Sequence, residues 1–206
     1  MTGIIDYGVG NLFSLRSSFG ALGEEAQVIA APEAICKADR LILPGVGAFG
    51  DAARKLRETG MAGAVKDAAQ HGIPLMGICL GMQLLFERSF EYGEHEGLGL
   101  LKGEIRPIAE RIPETLKIPQ MGWNALKMIR ESPLLKNTRA GEYVYFVHSY
   151  SAVGCEDSLL ATTEYGAELT ACVGQGRVFG CQFHPEKSGA VGLKILKAFC
   201  EMEAEG

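Results

Sequence analysis

Short apolar runs alternate along the first half of the chain with stretches that repeat at helical spacing. Ile4-Ile5 opens a strand, and Leu12, Leu15, Phe19 and Leu22 then recur at intervals of 3, 4 and 3. That spacing lays one apolar stripe along an amphipathic helix. Val28-Ile29 and Arg40-Leu41-Ile42-Leu43 predict two more strands. Residues 51 to 71 predict helix, interrupted near Gly60. Pro74-Leu75-Met76-Gly77-Ile78 predicts a further strand, with helix again from Leu80 to about Phe86. Strands and helices in alternation argue for a central, mostly parallel α/β sheet flanked by helices on both faces.

The second half reads differently. Strands are predicted around Ile105, around Met121, from Tyr143 to His148, from Leu159 to Thr163 and from Val178 to Phe183, with turn residues between them. This is a smaller antiparallel or mixed strand region appended to the parallel core. A last helix carries Val191, Ile195, Phe199 and Met202 at intervals of 4, 4 and 3. With no repeat, low-complexity stretch or linker, one domain over residues 1–206 is expected.

Composition narrows the field. The chain is 47% hydrophobic and 22% charged with a net charge of −5, so no broad basic surface for nucleic acid or acidic lipid is implied. The start, Met1-Thr2-Gly3-Ile4-Ile5-Asp6, lacks a basic segment and a long apolar run, and no apolar run reaches membrane-spanning length. A cytoplasmic protein is expected. The six cysteines form no Cys-x-x-Cys pair and no His pair sits at zinc spacing, so no metal is expected.

One of those cysteines stands apart. Gly77-Ile78-Cys79-Leu80-Gly81 falls where a buried strand turns into a helix, in the pattern of a nucleophile elbow with sulfur in place of oxygen. Small flanking residues let the backbone fold back tightly. A helix N-terminus favours the thiolate, and the Leu80 N–H would point at an oxyanion formed on a substrate. The competing reading is a buried cysteine between two packing glycines.

With four histidines, the search for a base is short. His71 sits at a helix end and His95 in the charged stretch Glu94-His95-Glu96, both read as surface residues. His148 ends a strand and faces either core or substrate. His184 stands in Phe183-His184-Pro185-Glu186. A residue before proline is pushed into extended conformation, where i and i+2 share a side. His184 and Glu186 then project together, about 6 to 7 Å apart at Cα. A carboxylate so placed binds one imidazole nitrogen and leaves the other for a thiol. Pro44-Gly45-Val46-Gly47-Ala48-Phe49-Gly50 formally contains the dinucleotide fingerprint, but the next strand ends at Ile78-Cys79-Leu80 with no acid for a ribose. No nucleotide cofactor, and no cofactor of any kind, is expected. Glycines 45 and 47 would instead let a peptide rotate and aim an N–H at an oxyanion.

Together these segments resemble the class I, triad-type glutamine amidotransferases across essentially the whole chain. The nucleophile segment extends through Met82-Gln83. Asp6-Tyr7-Gly8-Val9-Gly10-Asn11, Leu43-Pro44-Gly45-Val46-Gly47-Ala48-Phe49, Met121-Gly122-Trp123-Asn124 and Tyr145-Phe146-Val147-His148-Ser149-Tyr150 are similar to the members that serve histidine biosynthesis. The resemblance implies a flavodoxin-like architecture and a glutaminase. In it Cys79 attacks the glutamine amide, His184 moves the proton, and Glu186 orients His184. Backbone donors at Leu80 and the Val46 region face the oxyanion. Gly47, Gln83, Glu91, Ser149 and Tyr150 hold L-glutamine. Glu91 fits the substrate ammonium, and fits equally an ordinary solvated carboxylate in a loop.

A glutaminase that feeds synthesis must deliver ammonia before protonation removes its nucleophilicity, and the α/β core leaves no room here for an acceptor domain. The resemblance implies a heterodimer with a (β/α)8-barrel cyclase that makes imidazole glycerol phosphate. Asn11, Trp123, Tyr145 and Lys187 are the interface candidates, with Trp123 either an aromatic anchor or a core residue. The Gly45-Val46-Gly47 peptide is expected to rest with its donor turned away until partner and nucleotide turn it inward. Rival readings are a glutaminase of pyridoxal phosphate or anthranilate synthesis, a cysteine peptidase on a related scaffold, and a non-catalytic module.

Overall fold

The computed structural model describes residues 1–202. Four parallel strands form one half of the large sheet: β1 (Thr2–Ile5), β2 (Ala26–Ile29), β3 (Arg40–Leu43) and β4 (Leu75–Ile78). The helices between them are α1 (Leu12–Ala21), α2 (Phe49–Glu58) and α3 (Met61–Gln70), the last two separated at Gly60, which takes φ 75°. The strand residues are apolar at successive positions because both faces are covered. Ile4, Ile42 and Met76 pack with Leu15 and Phe19 of α1. Their neighbours Ile5, Leu41, Leu43 and Leu75 pack with Phe49, Leu56, Met61 and Val65 of α2 and α3. Side chains that alternate between faces thus read as a continuous apolar run.

After β4 comes α4 (Leu80–Leu84), then β5 (Phe86–Ser89), β6 (His95–Glu96) and β7 (Leu101–Pro107). The helix expected to reach Phe86 stops at Leu84. Phe86–Ser89 pairs with β7 instead, and its buried-exposed-exposed-buried pattern is that of a strand with a local irregularity. Next follow β8 (Gln120–Met128), β9 (Tyr143–His148), β10 (Tyr150–Val153), β11 (Leu159–Glu164), β12 (Glu168–Gln175), β13 (Val178–Cys181) and α5 (Gly189–Cys200). Strands β5, β6, β10 and β12 escaped the periodicity reading.

The class is the expected α/β one. Its large sheet has nine strands in the order β2-β1-β3-β4-β13-β12-β11-β8-β9. The β1–β2, β1–β3, β3–β4 and β4–β13 ladders are parallel. Those from β13 through β12, β11 and β8 to β9 are antiparallel. The antiparallel strands therefore continue the same sheet, and a second sheet, β10-β7-β5-β6, adds a mixed layer. Phe86, Leu101, Ile105 and Ala152 of that layer join the core on the α2–α3 side, while Ile195, Leu196 and Phe199 of α5 join the α1 side.

Candidate active site

Four segments meet at the carboxyl ends of neighbouring parallel strands, the customary position for a site in an open α/β sheet. Tyr7 follows β1, Pro44 to Gly47 follows β3, Cys79 follows β4, and Gln182 to Glu186 follows β13. Strands β4 and β13 pair in register, Ile78 with Cys181, and the Cys79 N–H donates to the Cys181 carbonyl at 2.7 Å. That bond fixes the start of one segment against the start of the other.

Cys79 adopts φ 54° and ψ −112°, a conformation a side-chain-bearing residue rarely takes. Its neighbours make the turn feasible. A Cβ on Gly77 would lie 2.5 Å from the Gly81 carbonyl oxygen, and a Cβ on Gly81 only 1.8 Å from the Leu43 carbonyl oxygen. A Cβ on Gly45 would meet Gly81 N at 2.8 Å. The elbow and the Pro44–Gly47 loop therefore touch backbone to backbone. The Tyr7 hydroxyl donates to the Pro44 carbonyl at 2.8 Å and anchors the loop at its start. Burial, and after it the charge of Cys79, raises the Tyr7 phenol above its ordinary range. Helix α4 spans little more than one turn, so the dipole behind Cys79 is smaller than a long helix would give.

His184 and Glu186 come together as the sequence suggested, by a slightly different route. His184 itself is extended, but Pro185–Lys187 closes into a single 3₁₀ turn. Within that turn His184 Nδ1 lies 2.8 Å from Glu186 Oε1, both side chains almost fully buried. Glu186 Oε2 is buried with no hydrogen-bond partner among the described residues. Burial works against an imidazolium here. The hydrogen bond to Cys79 and the Glu186 carboxylate outweigh it and raise His184 from 6.5 to about 9. Cys79, His184 and Glu186 thus form one contiguous chain of contacts, although 105 and 107 positions separate the first from the others.

The cleft above them holds ≈ 520 Å³, and Val46, Gly47, Leu80, Gln83, Ser149 and Tyr150 line it together with Glu91. Glu91 is no solvated loop carboxylate. It is 9% exposed, and its Oε2 accepts from the Phe49 N–H at 2.6 Å at the start of α2. Burial raises its pKa, against the lowering effects of Phe49 and His95. His95, expected in solvent, is half-buried with its ring against Gly50. His148 is buried, with Nδ1 2.8 Å from the Tyr150 carbonyl and Nε2 2.9 Å from Gln120 Oε1. Burial holds it neutral, down to about 4, which leaves His184 as the histidine able to carry a proton beside the sulfur.

Of the interface candidates, Trp123 is not a core residue: it is 52% exposed and meets Tyr145 edge-on at 6.0 Å. The Tyr145 carbonyl accepts from the His184 N–H at 2.9 Å. Lys187 is exposed at the end of the 3₁₀ turn, and Asn11 caps α1 by accepting from the Ser14 N–H at 3.3 Å. Met121 and Tyr143 extend the exposed apolar surface around Trp123.

The sequence reading passed over Tyr7 and Gln182. Gln182 is fully buried between Cys181 and Phe183, and its Nε2 lies 3.8 Å from Cys79 Sγ. A lone amide inside the apolar run Val178 to Phe183 was the available signal.

The chain belongs to the class-I glutamine amidotransferase family, whose model matches residues 3–202. Its curated relatives narrow this further. It is 51% identical to imidazole glycerol phosphate synthase subunit HisH of Wolinella succinogenes, over 98% of this chain and 100% of that one. The same subunit of Caldanaerobacter subterraneus is 51% identical over 98% of each chain. Among solved structures, one described as a glutamine amidotransferase superposes with a TM-score of 0.76 at 21% identity, covering 97% of both chains. PurLQS from Thermotoga maritima superposes with a TM-score of 0.75 at 22% identity, covering 97% of this chain and 96% of that one. At such identities the structures speak for the fold.

Proposed function

We propose that the chain is the glutaminase subunit of an imidazole glycerol phosphate synthase, hydrolysing L-glutamine and passing ammonia to a separate cyclase subunit in histidine biosynthesis. Near-full-length relatives at 51% identity support the assignment. The observation that carries the chemistry is the convergence of Cys79, held at φ 54°, with the buried His184–Glu186 pair.

In this reading Cys79 Sγ attacks the side-chain amide carbon of glutamine. Negative charge gathers on the amide oxygen, opposite the Leu80 N–H and a donor from the Val46 region. His184 takes the thiol proton and delivers it to the departing nitrogen, so the C–N bond breaks and ammonia leaves a thioester. A water attacks that thioester with His184 again as base, and glutamate departs. Glu186 keeps the imidazole oriented through Nδ1. Glu91, buried in the cleft wall, binds the substrate ammonium, and Gly47, Gln83, Ser149 and Tyr150 complete the holding groups.

The exposed patch of Met121, Trp123 and Tyr143, with Tyr145 against Trp123 and with Asn11 and Lys187 as further contact residues, is the docking face for a cyclase of (β/α)8-barrel type. The pair works as a heterodimer in the cytoplasm. No helix among the described residues is long and apolar enough to cross a membrane. The partner turns the Gly45-Val46-Gly47 peptide so that its donor faces the cleft.

Ammonia release from glutamine, with and without the cyclase and its nucleotide, tests the proposal. Cys79→Ala is expected to abolish release under every condition, and a mutant at the wild-type rate would overturn the assignment. Release is expected to rise on adding cyclase and again on adding nucleotide. Equal rates in all three conditions would refute the loop switch while leaving the glutaminase intact.

A further inference from the structure

We propose that Gln182 is a hydrogen-bond donor to the Cys79 sulfur that stabilises its anionic form, with Gln83 holding the donor in place; this rests on Cys79 as the nucleophile.

Two buried side-chain amides, Gln83 and Gln182, meet beside Cys79, and their orientation is set by their partners. Oxygen and nitrogen ends of a glutamine are distinguished by their partners. The Gln83 side chain ends 3.2 Å from the Tyr150 carbonyl oxygen. A backbone carbonyl only accepts, so the nitrogen of Gln83 must face it. That same nitrogen lies 3.0 Å from the side chain of Gln182, which must therefore present its oxygen. With Oε1 so committed, the other end of Gln182, the –NH2, is the one 3.8 Å from Cys79 Sγ. The backbone of Gln182 is fixed as well, its N–H donating to the Ala171 carbonyl at 2.9 Å. One main-chain carbonyl thus sets the polarity of a relay that ends on the sulfur.

The sulfur needs this contact. On another side it faces the Val147 carbonyl at 3.9 Å, an acceptor that suits a thiol and repels a thiolate. The short α4 adds only a small dipole. His184 is a donor only while protonated, and it gives up that role whenever it carries its proton to a leaving group. The Gln182 amide does not titrate, so it donates at every pH and at every stage. It is fully buried, where a hydrogen bond to a charged group is stronger than in water.

The test reads sulfur ionisation directly, in the whole protein. Iodoacetamide labelling is followed by peptide mass at Cys79 and at Cys36, an exposed thiol that serves as internal reference. Gln182→Met keeps the length and apolar packing but removes the donor. It is expected to slow Cys79 labelling at neutral pH about tenfold, move the half-maximal pH upward, and leave Cys36 unchanged. Gln182→Glu, which puts a carboxylate against the sulfur, is expected to slow it further. Should either variant fail to fold by circular dichroism, Gln83→Met frees the Gln182 amide to turn, and a smaller shift in the same direction is expected. Folded variants with the wild-type pH profile at Cys79 would overturn the proposal while the glutaminase stands. Failure of the glutaminase reading shows differently: wild-type Cys79 labelling no faster than Cys36, with ammonia release surviving Cys79→Ala.

Discussion

Two walls face each other across the cleft, and they are built in opposite ways. One is the seam between β4 and β13. There the chain leaves two parallel strands in register, and each exit is fixed by main-chain contacts: Cys79 N–H on the Cys181 carbonyl, and Gly81 against Leu43. The other wall comes from the second sheet and its loops, where Glu91, Ser149 and Tyr150 reach the cleft from separate strand ends. In the proposed reading the seam carries the reacting atoms on paired backbone, and the far wall carries the side chains that would recognise the substrate. Chemistry is sensitive to small displacements and belongs on the rigid side, while recognition tolerates the other.

The sharpest way to break this contrast is at the seam. His184→Asn is expected to lower kcat for ammonia release roughly 1,000-fold or more with KM changed little. A change confined to KM would place His184 with the recognising wall. Gly81→Ala comes next. Its Cβ has no space beside the Leu43 carbonyl, so denaturant unfolding should show a loss of about 3 kcal/mol or more. A loss under about 1 kcal/mol would mean that the seam yields after all. Glu91→Gln probes the far wall and is expected to raise the glutamine KM by roughly 10- to 100-fold, with a smaller effect on kcat.

Two weaker effects refine the picture. The imidazole of His184 is raised from 6.5 to about 9 in the folded protein. Its contribution to stability is therefore complete below about 6.5 and is lost as pH rises through about 9. The unfolding free energy of the wild type should fall across that window by more than that of His184→Asn. Trp123→Ala, on the exposed patch, should change thermal stability by no more than about 0.5 kcal/mol while weakening cyclase binding roughly tenfold or more. Unchanged binding would move the docking face elsewhere.

The sequence displayed the seam more openly than the far wall, and for a physical reason. An elbow needs glycines at fixed offsets, and a proline after histidine constrains the chain locally, so Gly77, Gly81 and Pro185 betray the site over a few residues. The parallel strands show as apolar runs because both faces are buried. Strands β5, β6, β10 and β12 are shorter or interleaved with polar residues, and their pairing is decided by distant partners, which periodicity does not carry. Glu91 stayed open between a substrate-facing and a solvated loop carboxylate because the helix start that holds it lies 42 positions away. Gln182 escaped because a buried amide is explained only by what it touches.

The direct backbone contact between the Pro44–Gly47 loop and the elbow bears on redesign. No side chain separates Gly45 from Gly81, so neither segment can be resculpted while the other keeps its shape. Grafting residues 77 to 81 alone onto a different scaffold would transplant a cysteine without the surface that seats it. The smallest portable unit spans both strand exits, and random mutagenesis would have to alter them in concert, a double step that single substitutions seldom reach.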